Sequence, residues 1–216
     1  MIVGKRGCIH DAPSRIALRS MFGTQAPQPA IVTPVEPGGG LYRNDVINNC
    51  VIASVANALR AAAKSVTGAD RYTTDEAIVA VFAIVAGVSL SAVGTVPGLT
   101  PLDALEWIET NGFAAGGPVV EAFSDLTALS NQSELCGAVA RHGAAIVAVN
   151  LFSEDEFSDA QWRASPVGTI VGGHAMTLIG YTPNTVTLVT WGQVVTATWE
   201  WITTRLVSAY GMHWAL

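Results

Sequence analysis

Residues 43–54 of the chain read RNDVINNCVIAS, so a polar, turn-forming run of Asn and Asp leads directly into Cys50. From Cys50 to Ser65 the apolar residues follow helical spacing, and Gly68 lies beyond the end of that pattern. The sequence therefore predicts a helix with a cysteine in its first turn. The partial positive charge at a helix N-terminus favours a thiolate, which is a nucleophile. Cys50 is a candidate reactive residue, and its activation needs a histidine from a distant part of the chain.

The elements around this helix follow from caps and periodicity. A Thr-Thr-Asp-Glu run from Thr73 predicts a capping box, and Thr100-Pro101 predicts another helix start. Alternating residues from His174 to Tyr181 predict a strand that a turn joins to its partner. The predicted helices are 50–65, 74–85, 101–111, 131–142 and 199–205, and the predicted strands are 144–151, 174–181, 186–191 and 209–214. Helices first and strands last favour an α+β fold over an alternating α/β fold.

The composition limits the kinds of partner that the chain can bind. Its 216 residues are half hydrophobic and carry a net charge of −6, with Lys5 and Lys64 the only lysines. Because no basic cluster is present to neutralise phosphates, we expect no direct binding to nucleic acid. Charged residues make up only 13 % of the chain. This indicates either a surface covered by other protein subunits or a surface that avoids aggregation by other means.

The sequence gives no membrane or secretion signal. The longest apolar run, near 78–93, is interrupted by Gly87 and Ser89 and is too short to span a membrane. Residues 1–22 have no apolar core after Lys5 and Arg6, so we predict no signal peptide. We therefore expect a cytoplasmic protein without a transmembrane segment.

The cysteines give no sign of a disulfide framework. Cys8, Cys50 and Cys136 are widely spaced and form no CxxC pair, so we expect reduced thiols and no zinc site. Cys8 lies near His10 without further Cys or His beside them, and Cys136 reads as a core residue of its helix. We expect neither a metal nor a cofactor.

The first 40 residues predict an arm rather than a packed element. Residues 23–40 read GTQAPQPAIVTPVEPGGG and hold four of the ten prolines together with four glycines. We therefore divide the chain into an extended N-terminal arm, 1–40, and one domain, 41–216. Such an arm either lies on a neighbouring subunit, so that its deletion would weaken assembly, or is a plain tether.

Of the four histidines, His174 is the candidate partner of Cys50. It follows Gly172-Gly173, which leave room beside an imidazole, and it opens the most regular predicted strand. His10 belongs to the arm, and His213 belongs to the last predicted strand. His142 sits at a helix C-terminus, where an imidazolium would complement the helix dipole.

These features resemble the papain-type cysteine peptidases. In that family a catalytic Cys begins a long helix, and an oxyanion-stabilising amide lies six residues earlier. The catalytic His comes much later, on a strand that ends in Gly-Tyr. Asn44 lies six residues before Cys50, and the strand predicted from His174 ends in Gly-Tyr. The family's returning strand ends in Asn-Ser-Trp-Gly, and residues 189–192 of this chain read VTWG.

The resemblance extends from Leu41 to Leu216 and looks closest to compact papain-like proteins of phages and bacteria. It implies a papain-like α+β fold, with an N-terminal helical half that carries the Cys50 helix and a C-terminal antiparallel β half. It also implies a Cys50/His174 dyad with Asn44 as the oxyanion donor.

Two positions depart from the family pattern. Val189 stands where the family has its third catalytic residue, an Asn that orients the His. Thr190, one residue later, faces the other side of a regular strand, so a bulge would be needed to turn it towards His174. Asn44 is one methylene shorter than the Gln of the family.

The resemblance leaves two functions open. One is a cysteine hydrolase that cleaves a peptide or amide bond, which the dyad pattern and Asn44 favour. The other is a catalytically idle structural component of a larger assembly such as a phage virion, with other protein subunits as partners. The low charge, the Pro-rich arm and Val189 favour this second function, which would place the protein in a virion.

Overall fold

The structure is a computed structural model that describes residues 40–113, 119–125, 132–157, 161–164 and 168–216. The predicted arm, apart from Gly40, lies outside these residues, as do Cys8 and His10. Within the described ranges, no helix is both long and apolar enough to cross a membrane.

The ends of the helices follow from local capping. α1 ends at Gly68, whose left-handed φ of 73° suits a residue without a Cβ. α3 begins as predicted, with the cap Thr100 before Pro101. α2 is capped by the hydroxyl of Thr74, so the predicted capping box from Thr73 starts one residue too early. The described α-helices are α1 Cys50–Thr67, α2 Asp75–Val85, α3 Pro101–Asn111, α4 Gln132–His142 and α5 Trp199–Arg205, with a short 3₁₀ helix at Leu90–Thr95.

Seven described strands form one sheet in the order β1-β7-β2-β4-β5-β6-β3. Neighbouring strands are antiparallel, except that β3 and β6 are parallel. β4 begins four residues before its predicted start at His174, and β1, β3 and β6 have no counterpart among the predicted strands. The strands are β1 Val119–Asp125, β2 Ala145–Phe152, β3 Gln161–Trp162, β4 Ile170–Tyr181, β5 Thr185–Thr190, β6 Gln193–Thr198 and β7 Leu206–Ala215.

The sheet lies between two apolar cores, because successive side chains of a strand point to opposite faces. Ala175 and Ile179 of β4 pack on the same side as α1, α2 and α3. Met176 and Leu178 pack on the other side, with α4 and α5. The predicted α+β class, with a helical N-terminal half and a β C-terminal half, is confirmed.

α1 is a core helix that lies against β4. Its first 14 residues, from Cys50 to Ala63, are all buried. The hydroxyl of Thr177 in β4 donates a hydrogen bond of 2.8 Å to the carbonyl oxygen of Ser54 in α1. Because Ser54 lies one turn after Cys50, this contact places the start of α1 beside the sheet.

Candidate active site

Cys50 is the first residue of α1, and only 1 % of its surface is exposed. The chain approaches it through a tight turn, in which the Asn44 N–H donates to the Leu41 carbonyl oxygen at 2.9 Å. The two central residues, Tyr42 and Arg43, have left-handed φ angles of 52° and 59°. This is the geometry of a type I′ turn, which Asn and Gly usually adopt. Backbone strain of this kind clusters at functional sites.

Asn44 leaves this turn with its side chain buried in an amide network. Its Nδ2 donates to Oδ1 of Asn49 at 3.2 Å. The Nδ2 of Asn49 in turn donates to the carbonyl oxygen of Tyr42 at 2.7 Å. Asn44 and Cys50 line the same small cavity, so the candidate amide and the candidate thiol lie at one place.

His174 is the fifth residue of β4 and is 1 % exposed. Its Nε2 is hydrogen-bonded to Oγ1 of Thr190 at 2.6 Å. The indole of Trp191 stacks on the imidazole, with ring centroids 4.3 Å apart and planes 23° apart. Its Nδ1 is buried and makes no hydrogen bond within the described part of the chain. The ring is thus held at one nitrogen and on one face, and its Nδ1 is not hydrogen-bonded to Cys50.

A second left-handed turn places Trp191. Only Trp191 and Gly192 join β5 to β6, and their φ angles are 45° and 72°. A two-residue hairpin favours this type I′ geometry because its twist matches that of the strands. A Cβ on Gly192 would lie 3.1 Å from Cβ of Leu41, so a glycine also lets the Leu41 segment approach closely.

Thr190, rather than Val189, contacts His174. Val189 packs in the core on the α1 side of the sheet. Leu188 packs in the opposite core, and alternation places Thr190 on that same face. His174 shares this face with Met176, and β5 pairs with β6 without any bulge. The prediction that Thr190 needs a bulge to reach His174 is therefore wrong, since regular alternation already points it there.

The cavity at Cys50 is very small. Its volume is about 10 Å³, which is space for about one water molecule. Asn44, Cys50 and Thr190 line it, together with Leu41 and Ala175. The predicted residues Asn44 and Cys50 thus share a cavity. His174 is not among the residues that line it, although its partner Thr190 and its neighbour Ala175 are.

The other titratable candidates lie elsewhere. Cys136 packs in the core on the opposite side of the sheet from Cys50, and burial raises the pKa of its thiol to about 11. Burial, aided by nearby His213 and Arg141, lowers the pKa of His142 to about 4. His142 is therefore neutral at pH 7, and the predicted imidazolium at the end of its helix does not form. Over the described residues, no three His, Cys, Asp or Glu side chains come close enough to hold a metal.

The contacts of two residues in this arrangement do not follow from the sequence. Asn49 reads as an ordinary N-cap of the Cys50 helix, and only the structure shows that its side chain makes no capping bond. Thr190 faces the opposite side of its strand from Val189, as predicted, but the sequence did not show that His174 lies on that side. The signal for Thr190 was present, since it lies two residues after Leu188, whose face of the strand is the one that His174 shares.

The chain is similar in structure to several cysteine proteases. Xylellain from Xylella fastidiosa matches with a TM-score of 0.68 and 14 % identity, over 98 % of this chain and 98 % of xylellain. Digestive procathepsin L 3 of Tenebrio molitor matches with a TM-score of 0.63 and 13 % identity, over 88 % of this chain and 71 % of the procathepsin chain. A cysteine protease of Carica candamarcensis matches with a TM-score of 0.55 and 15 % identity, over 85 % of this chain and 93 % of the protease chain.

The fold is papain-like.

This papain-like fold confirms the resemblance that the sequence indicates. The sequence itself matches no protein-family model and no curated protein. At 13–15 % identity the similarity establishes the fold alone, so any activity has to be argued from the side chains. The nearer likeness to phage proteins stays a prediction.

Proposed function

We propose that the protein is a papain-like cysteine hydrolase that cleaves a peptide or amide bond. Cys50 is its nucleophile, His174 its general base and acid, and Asn44 its oxyanion donor. The observation that carries the proposal is the way His174 is held. Its Nε2 bonds to Thr190 and its face lies on Trp191, so the buried Nδ1 is the nitrogen free to exchange a proton.

The reaction then runs in two halves. When Nε2–H of His174 donates to Thr190, the lone pair on Nδ1 accepts the thiol proton of Cys50. Sγ attacks the substrate carbonyl carbon, and the C=O electron pair moves onto the oxygen. The second Nδ2 hydrogen of Asn44 and the Cys50 backbone N–H stabilise that oxyanion. The intermediate expels the amine, which takes the proton from His174, and leaves a thioester on Cys50.

Water completes the second half. His174 accepts a proton from the water as it attacks the thioester carbonyl, and the carboxylic acid leaves as the proton returns to the sulfur of Cys50. Apart from the water, every group that takes part in these two steps belongs to the side chains or the backbone of the chain.

A substrate has to open the site before this chemistry begins. Cys50 and His174 are each only 1 % exposed, and the cavity beside Cys50 holds about 10 Å³. No substrate carbonyl reaches Sγ in this closed arrangement. The segment at Gly40 and Leu41 lines the cavity, so its displacement is the simplest route for a substrate.

The very small cavity is also the observation that favours a second candidate function. In that case the protein is a catalytically idle structural component of a larger assembly, such as a phage virion, and other protein subunits are its partners. Cys50 would then be a buried core thiol, as Cys136 is.

Hydrolysis of a fluorogenic peptide library separates the two functions. Cys50→Ala should abolish turnover, and Asn44→Ala should reduce it about 100- to 1000-fold, the typical effect of one oxyanion donor. Cys136→Ala is the matched control and should retain full activity. Hydrolysis that survives Cys50→Ala would exclude the proposed nucleophile.

Alkylation by iodoacetamide in a Cys8→Ser background gives a second test. An imidazolium partner keeps a thiol ionised, so Cys50 should react below pH 7. Cys136, whose pKa burial raises to about 11, serves as the unreactive internal standard. Cys50 labelling that rises only near pH 8.5, as for a free cysteine, would favour the structural protein.

A further inference from the structure

Asn49 occupies the N-cap position of α1 without capping the helix. Asn is among the best N-cap residues, and a capping side chain contributes about 1 kcal/mol to stability. Here the Asn49 side chain makes no capping bond, although the residue is completely buried. Its amide instead contacts Asn44 on one side and Tyr42 on the other. The Asn49 side chain therefore does not cap the helix that begins at Cys50.

These two contacts fix which way each amide points. A carbonyl oxygen can only accept, so Asn49 presents Nδ2 to the Tyr42 carbonyl oxygen, at 2.7 Å. Oδ1 of Asn49 therefore faces Asn44. Because an amide oxygen also can only accept, Asn44 presents its Nδ2 there, at 3.2 Å. Asn49 takes one of the two hydrogens on that nitrogen, and the second is left for the cavity that Asn44 shares with Cys50.

We infer that Asn49 is a positioning residue, which holds the Asn44 amide with its nitrogen available to the oxyanion. The inference rests on the proposed function, since it needs an oxyanion to be formed. Without Asn49 the Asn44 amide could rotate by half a turn. It would then present an oxygen lone pair to the developing negative charge, which would repel it.

The left-handed turn before α1 supplies the anchor for this arrangement. With Tyr42 and Arg43 at φ angles of 52° and 59°, the turn is the mirror image of an ordinary type I turn. The Tyr42 ring is fully buried and lies so close to Gly40 that a Cβ there would be 2.2 Å from it. The turn is therefore packed in place, and the Tyr42 carbonyl oxygen stays directed at Asn49.

A comparison of Asn49→Ser with Asn48→Ser in the full-length protein tests this role. Serine is a good N-cap, so the helix start is preserved. Asn48 is the matched control, because its Nδ2 also donates to a carbonyl oxygen, that of Val96, at 2.8 Å. For a peptide anilide, Asn49→Ser should lower kcat about 10- to 100-fold at unchanged KM. Asn48→Ser should leave both constants unchanged.

Two further measurements separate positioning from a general structural effect. Alkylation of Cys50 by iodoacetamide needs a thiolate but no oxyanion donor, so its rate should not change in Asn49→Ser. In the Asn44→Ala background, Asn49→Ser should lower kcat no further, because the two residues act as one unit. An alkylation rate that falls as much as kcat would overturn the inference.

A readout that needs no hydrolysis keeps this inference separate from the proposed function. The side-chain NH₂ signals of Asn44, assigned by NMR with Asn44→Asp, should exchange with solvent at least about tenfold faster in Asn49→Ser than in the wild type. Equal exchange rates would show that Asn49 does not hold the amide. If the wild type hydrolyses nothing while Asn49→Ser still shows the faster exchange, the proposed function is refuted and the ordering of Asn44 by Asn49 stands. If Asn49→Ser does not fold, Asn49→Gly carries the same expectations.

Discussion

At the scale of single residues, a hydroxyl stands where papain-type enzymes use an amide. Thr190 Oγ1 lies 2.6 Å from Nε2 of His174, where it can accept the Nε2 proton. Acceptance there would hold the tautomer that the proposed mechanism needs, in which Nδ1 is the base. A hydroxyl can also rotate and donate, so it specifies the tautomer less strictly than an amide oxygen does. The stacked ring of Trp191 restricts the orientation of the imidazole in addition.

The first prediction concerns this hydroxyl. Thr190→Val keeps the shape of the side chain and removes its bond to the imidazolium that the proposed reaction forms. A hydrogen bond to a charged group contributes about 1.5–3 kcal/mol, so kcat/KM should fall about 10- to 100-fold. Thr190→Ser retains the hydroxyl and should stay within a few-fold of the wild type. Steady-state kinetics on one peptide substrate would measure both, and equal losses in the two variants would contradict the assigned role.

The candidate site residues differ in whether the sequence alone could suggest them. Spacing was sufficient to propose Asn44, Cys50 and His174 as site residues, because the family pattern that they resemble is a matter of counting along the chain. Thr190 required knowledge of which face of the sheet His174 occupies, and that depends on how β4 and β5 pack between two cores. Asn49 could not be recognised, since a sequence shows a cap residue but not where its side chain turns.

At the scale of elements, a buried ion pair ties the loop after β2 to α5. The side chains of Arg205 and Asp155 have no exposed surface, and Oδ1 of Asp155 lies 2.8 Å from Nε and 2.5 Å from Nη2. Oδ2 of Asp155 accepts the Phe152 backbone N–H at 2.9 Å. The guanidinium also lies over the ring of Trp201, 5.1 Å from its centroid. Four contacts of one pair thus hold two elements together.

The second prediction follows from this pair. Arg205→Met leaves the Asp155 carboxylate buried without its cation, which typically costs about 3–5 kcal/mol. Urea unfolding should show that loss in the free energy of unfolding. The double variant Arg205→Met/Asp155→Leu should recover part of it, because no charge remains buried. A loss below about 1 kcal/mol in the single variant would be typical of a surface pair and would contradict this account.

The third prediction concerns the end of α4 and the pH dependence of stability. The pKa of His142 is lowered by burial from 6.5 to about 4, so its charged form is disfavoured in the folded state. The stability that this group contributes is present above about pH 6.5 and is lost as the pH falls towards about 4. His142→Gln should flatten the stability profile in that window, measured by urea unfolding at several pH values. An unchanged slope would contradict the shift.

The helices and the strands β2, β4, β5 and β7 were predictable because their signals are local. Thr100 and Pro101 mark a helix start by capping chemistry alone, and the alternation in β4 is visible along the chain. β3 has only two residues and exists as a strand because it pairs with β6. Such an element carries no periodicity of its own, so no reading of the sequence could define it.

At the scale of the whole molecule, the candidate site is where the helical and β parts meet. Leu41 lies against Gly192 on the β side, and the preceding residue, Gly40, is held by α1. The Asn57 side chain accepts from the Gly40 N–H and donates to the Gly40 carbonyl oxygen, each at 3.0 Å. This paired contact keeps the segment in place over the cavity.

The fourth prediction is that this contact controls access to Cys50. Asn57→Ala removes two hydrogen bonds, each contributing about 1 kcal/mol, so the local opening should become at least about tenfold more frequent. Alkylation of Cys50 should accelerate by the same factor, measured beside the Asn48→Ala control. The free energy of unfolding, determined in parallel, shows whether the opening is local. An unchanged alkylation rate would mean that reagents enter by another route.

The order of strands in the sheet means that one strand is synthesised long after its two neighbours. β7 follows the other six strands in the chain, yet it lies between β1 and β2. About 80 residues separate Asp125 from Leu206, and at roughly 5–20 residues per second a ribosome needs roughly 4–16 s to make them. Until then β1 lacks its only described partner, and the edge of β2 that β7 will cover stays open to other chains. A chaperone that shields nascent chains would therefore be needed most while the last strand is being made.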